Sequence, residues 1–196
     1  MATSPREYRR MILELLPEQG AVREDEYLWL TDRARRAIEF SDGVLEALPM
    51  PTRSHQLILK FLLRLFEAIV EPGGGIVLFA PLRLRLRAGK FREPDLLLLL
   101  DAGDPRNGER FWTGADLVVE IVSADDPERD LVTKRREYAE AGIPEYWIVN
   151  PLDRSVTVLA LAGDAYREAG RFGPGEVAGS PLLPALVVPV GELFGS

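Results

Sequence analysis

Two short apolar runs constrain this chain most: "PDLLLLLD", from Pro94 to Asp101, and "DLVVEIVS", from Asp116 to Ser123. Runs of this length and composition, bounded by polar residues, read as buried strands. Pro94 stands near the start of the first, where a missing N–H is tolerable. The second carries a glutamate, Glu120, in its middle. A carboxylate inside an apolar strand is costly unless it is paired or reaches water at a sheet edge. The fold must therefore give Glu120 an edge, a counter-charge or a ligand.

The neighbouring segments suggest how. Ser4 and Pro5 suit the start of a short helix running to about Leu16, and Glu24 to Ala37 suits a second. "AIEFSDGVLEALP" predicts a hairpin over Ile38 to Leu48 turning at Asp42-Gly43. Thr52 or Ser54 starts the strongest helix, in which Ile58, Phe61, Leu62, Leu65, Phe66 and Ile69 keep helical spacing. "EPGGG" stops it. "GIVLFAPLRLRLRAGK" reads as one strand ending in alternation, with Leu82, Leu84 and Leu86 on one face and Arg83, Arg85 and Arg87 on the other. After the two buried strands, Asp125 or Asp126 caps a helix that begins at Pro127 and runs to Ala141, with Gly142 as its stop. "PEYWIVNP" is a further strand, "SVTVLALAGDAYREAGRFGPGEV" a hairpin, and "LLPALVVPVGELF" a closing extended segment with a final turn. The order helix, three strands, helix, strand points to one α/β domain.

Composition narrows the chemistry. The chain has no cysteine and one histidine, His55. Thiolate metal sites, cysteine nucleophiles and disulfide frameworks are excluded, and a Ser-His-Asp triad is disfavoured. A metal would be held mainly by oxygens, which suits Mg²⁺ or Mn²⁺. A net charge of -7 argues against non-specific coating of nucleic acid, though not against a local basic groove. "MATSPREYRR" is no signal peptide and no apolar run has membrane-spanning length, so a cytoplasmic protein is expected. The chain carries three lysines, Lys60, Lys90 and Lys134, against 21 arginines.

Asp95 and Glu120 lie on successive buried strands. If those strands are neighbours, the two carboxylates converge, and a divalent cation would relieve their repulsion. Such a cation lowers the pKa of a bound water and clamps a phosphoryl oxygen. On the following helix, Asp130, Lys134 and Tyr138 lie along one side, and Lys134 borders the face that packs on the sheet. A lysine there could stabilise developing charge. Taken singly, each residue has a plain structural role: Asp95 paired with Arg92, Glu120 paired with Lys134 or exposed at an edge, the arginines solvated, His55 a cap or packing residue. The site reading rests on their combination.

The stretch "EPDLLLLL…DLVVEIVSADDPERDLVTKRREYAEAGIPEYWIVNP", with "IEFSDGVLEALPMPTRSHQLI" and "SPLLPALVVPVGELF", resembles the Uma-type family of restriction-endonuclease-like bacterial proteins, long filed as a domain of unknown function. The resemblance runs from about Glu24 onward. It implies a PD-(D/E)XK nuclease fold: a mixed sheet of about four core strands flanked by helices, with added N- and C-terminal hairpins. Residues 1–37 would form an N-terminal helical segment on a domain spanning 38–196, all within one compact unit. Pro94-Asp95 matches the PD element and Glu120 the acidic residue of the second motif. Val122 stands where the motif has lysine, and Lys134 is the candidate replacement. Glu39 matches a further acidic position.

The resemblance thus implies a Mg²⁺- or Mn²⁺-dependent DNA endonuclease. Asp95, Glu120 and the Ile121 carbonyl, with Glu39 as an addition, would hold the metal, and Lys134 would assist. Arg83, Arg85, Arg87 and Arg92 would contact phosphates, and Asp130 and Tyr138 would support the helix. Many nucleases of this fold act as dimers, so a homodimer or higher oligomer is compatible. Two other readings remain open: a non-catalytic nuclease fold serving DNA binding or assembly, and an interaction protein whose buried carboxylates are salt-bridged.

Overall fold

A computed structural model describes residues 18–34, 36–124 and 128–195. The expected helix to Leu16 and the expected cap at Asp125, Asp126 and Pro127 lie outside the described residues.

The Leu and Val runs pair as expected. Strand β6 (Leu96–Leu99) lies between β3 (Ile76–Phe79) and β7 (Leu117–Ile121). On the other side of β7 come β8 (Glu145–Asn150), β9 (Ser155–Ala162) and β10 (Ala165–Phe172). Every neighbouring pair of this six-stranded sheet is antiparallel except β7 with β8. A parallel pair needs a crossover. It is supplied by a π-helical turn (Arg129–Thr133) leading into a helix (Lys134–Glu140).

Both faces of the sheet are covered, which is why its central strands are apolar but for Glu120, Glu145 and the terminal Asn150. Leu96, Leu98 and Val119 face the helix Arg53–Val70, against its buried Ile58, Leu62 and Phe66. Leu97, Leu99, Val118 and Val122 face Trp112, Tyr138 and Tyr146. Each fully buried leucine contributes roughly 2 kcal/mol relative to exposure.

A second, four-stranded antiparallel sheet runs β2 (Val44–Ala47), β1 (Ile38–Ser41), β5 (Lys90–Arg92), β4 (Leu84–Arg87). The expected hairpin at Asp42-Gly43 forms as β1 and β2. The expected single strand "GIVLFAPLRLRLRAGK" is instead divided between the two sheets, broken at Pro81, which has no N–H to give a ladder. A helix (Glu24–Thr31), shorter than expected, stacks Tyr27 on Phe40 with ring centroids 4.9 Å apart. With α1 as Glu24–Thr31 and α2 as Arg53–Val70, α3 is Lys134–Glu140. The C-terminal segment adds β11 (Val177–Gly179) paired with β12 (Val187–Pro189), then α4 (Val190–Leu193). No helix among the described residues is long and apolar enough to cross a membrane.

Candidate active site

The β6–β7 ladder pairs Leu98 with Leu117, Leu97 with Val118 and Leu96 with Val119. One step further along the same register, Asp95 stands opposite Glu120. The ladder ends there, and the Asp95 side chain takes over: its Oδ2 accepts the Ile121 backbone N–H at 2.7 Å. The sheet thus delivers both carboxylates to one strand end because its leucines fix the register.

Glu120 shares a strand face with Val118 and Val122, and so looks toward α3. Lys134 opens that helix, one turn before Tyr138, and reaches back into the gap. Its Nζ lies 2.8 Å from Glu120 Oε1, 3.0 Å from Asp130 Oδ1 and 3.7 Å from Glu39 Oε1. Lys134 is 4% exposed, Glu120 3% and Glu39 not at all, so these charges meet away from bulk water. Tyr138 donates its hydroxyl to Glu120 Oε1.

The network continues inward. Glu39 accepts from Arg129 and the Glu93 backbone N–H and forms an ion pair with Arg92 at 3.3 Å. Arg92 forks onto Glu137 with contacts of 2.7 and 2.8 Å, and Lys90 joins Glu137 at 2.7 Å. Acids and bases alternate from Lys90 through Glu137, Arg92, Glu39 and Lys134 to Glu120, so each charge in this series faces an opposite one.

Burial and proximity set the proton affinities. Burial raises the pKa of Glu120 despite Lys134, and Asp130, Asp95 and Glu39 push it the same way. Burial opposes charge on Lys134, but Glu120, Glu39 and Asp130 outweigh it and raise its pKa, so it remains an ammonium. Burial likewise opposes charge on Glu39, yet Lys134, Arg92 and Arg129 hold its pKa below the ordinary value. Asp130 is raised by burial against the pull of Lys134.

Asp95, Glu120, Lys134, Asp130, Tyr138 and Glu39 are therefore brought together. Ile121 meets Asp95 through its N–H. Arg92 belongs to the buried network, whereas the other arginines of that run are tied to acids elsewhere: Arg83 to Asp32, Arg85 to Glu24 and Arg87 to Asp42. His55 was expected to cap or pack, yet its Nε2 lies 3.0 Å from Asp95 Oδ1. Only its place at the start of α2 hinted at this, and its partner lies on a distant strand.

The donor chemistry suits a hard divalent cation. No three acidic or histidine side chains among the described residues form a ready-made cage. Mg²⁺, however, keeps several waters and usually takes only one or two carboxylates. The Glu120 and Asp95 carboxylates are the two that could supply it.

A family model described as "Putative restriction endonuclease" matches residues 24–191. A solved structure titled as a "putative nuclease belonging to DUF820", from Anabaena variabilis, superposes with a TM-score of 0.72 at 23% identity. The match covers 87% of this chain and 96% of that one. No curated protein matches. The fold is restriction-endonuclease-like.

Proposed function

This chain belongs to the Uma2 family, and from that membership we propose a nuclease that hydrolyses DNA phosphodiester bonds with a divalent cation. The observation that carries the reading is the meeting of Asp95 and Glu120 at one strand end, with the Lys134 ammonium 2.8 Å from Glu120. Asp95, Glu120 and the Ile121 carbonyl would hold Mg²⁺ or Mn²⁺. Glu39 is a weaker fourth candidate, because Arg92, Arg129 and a backbone N–H already take its oxygens. The cation, when bound, supplies an acidified water and positive charge at a phosphoryl oxygen.

The protein's own groups do the rest. Lys134 takes the part of the motif lysine whose place Val122 occupies. Its raised pKa keeps it protonated, so it stabilises developing negative charge on the phosphoryl group and does not serve as a base. Tyr138 holds Glu120 in orientation through its hydroxyl. Asp130 holds Lys134 from the preceding turn. Phosphate contacts by Arg83, Arg85 and Arg87 would require them to exchange their present acid partners, and Arg92 acts through Glu39.

A second reading is favoured by the completeness of the in-chain pairing: a nuclease fold without catalysis, serving DNA binding or assembly on a salt-bridged core. Calorimetric titration with Mn²⁺, run beside cleavage of plasmid and single-stranded DNA, separates the two. The nuclease reading expects Mn²⁺ binding and chelator-sensitive cleavage by the wild type, both lost in Asp95→Ala. A wild type that neither binds Mn²⁺ nor cleaves, yet binds DNA in a salt-dependent way, establishes the second reading.

A further inference from the structure

We propose that His55 is the positioning residue of Asp95, fixing that carboxylate in the orientation the cation needs; this rests on the nuclease reading. Asp95 sits where the β6–β7 ladder has ended, so no strand pairing restrains its side chain. Two bonds from different elements do. The Ile121 N–H holds Oδ2 at 2.7 Å from β7. The His55 ring holds Oδ1 at 3.0 Å from α2. With both oxygens held, the carboxylate plane is set before any ligand arrives.

The ring is itself anchored. His55 lies in the first turn of α2, and its backbone N–H donates to the capping Thr52 hydroxyl at 3.2 Å. Both side chains are shielded, with 19% of His55 and 15% of Asp95 exposed, so water competes little for the bond. A packing histidine would find partners for both ring nitrogens. This one leaves buried Nδ1 without a partner among the described residues, while its Nε2 faces Asp95. The facing carboxylate favours a proton on Nε2.

Tag-free protein carries a single imidazole, so its N–H resonance is assigned without ambiguity. An exchange-protected Nε2–H signal is expected in the wild type and is expected to vanish in Asp95→Ala; its absence from folded wild type would overturn the latch. For metal positioning, His55→Ala is expected to weaken Mn²⁺ binding by roughly 10-fold or more. His55→Gln, whose amide still offers a donor to Asp95, is expected to recover most of that affinity at a similar melting temperature. Equal Mn²⁺ affinity in wild type, His55→Ala and His55→Gln rejects the positioning role. A wild type that shows the protected N–H but binds no Mn²⁺ leaves the latch standing, sinks the nuclease reading and removes the positioning role with it.

Discussion

Lys134 Nζ lies 2.8 Å from Glu120 Oε1, joining the first residue of α3 to the C-terminal end of β7. The contact answers the cost of a carboxylate in β7: its counter-charge arrives from the crossover helix. Removing one partner of a buried pair strands the other and costs about 3–5 kcal/mol. Lys134→Ala is thus expected to lower stability by about 3 kcal/mol, read by urea denaturation, and to cut DNA cleavage by about 100-fold or more. Lys134→Arg should rescue neither, since a planar guanidinium cannot replace a compact ammonium among three acids. Cleavage at the wild-type rate by Lys134→Ala would remove Lys134 from the reaction.

Glu39 holds the network together. It is fully buried and faces Arg92, Arg129 and Lys134. Glu39→Ala leaves three cations around one vacancy. A loss of about 3–5 kcal/mol is expected by chemical denaturation. Glu39→Gln keeps the acceptor for the Glu93 N–H and should lose less. A neutral Glu39→Ala would mean that water reaches these cations freely.

Tyr138→Phe isolates one hydrogen bond. The ring packs edge-on against Tyr146 with centroids 5.1 Å apart, and phenylalanine keeps that contact. Only the hydroxyl given to Glu120 is lost. About 1.5–3 kcal/mol is expected for a bond to a charged acceptor, together with slower DNA cleavage as Glu120 loses its orientation. Unchanged stability with unchanged cleavage would show that the hydroxyl does neither job.

What the sequence revealed follows the range of each signal. The buried strands, the hairpins and α2 are local patterns, and they form where periodicity places them. Asp95 and Glu120 stood out as carboxylates in apolar runs whose faces follow from strand periodicity, though their pairing does not, and Lys134 stood out because helical spacing set it beside Tyr138. Alternation in "LRLRLR" gave a face but not its neighbours. The small sheet is built by long-range pairing of β1 with β5, which no local pattern records. Arg92 therefore looked like its exposed-face companions, although β5 carries it into the core beside Glu39 and Glu137. His55 was missed for the same reason: the carboxylate its ring faces, Asp95, stands just before β6, far along the chain from the helix His55 starts.

Glu93 supplies a pH test distant from any DNA assay. It is 5% exposed; Oε1 accepts the Ile38 N–H, while Oε2 is buried without a partner among the described residues. Burial pushes its pKa up to about 7, with Glu39 adding to the rise. The folded protein therefore binds this proton more tightly than the unfolded chain does. Its stabilising effect is complete below the ordinary glutamate range and is lost as pH rises through about 7. Across that window the group's contribution falls by up to about 3 kcal/mol. Glu93→Gln keeps an acceptor for Ile38 and cannot ionise, so its stability should decline less between pH 5 and 7.5, on the order of the same few kcal/mol. Urea midpoints of both proteins across that range check it. Parallel curves for wild type and Glu93→Gln would mean that Glu93 ionises in the fold as readily as in water.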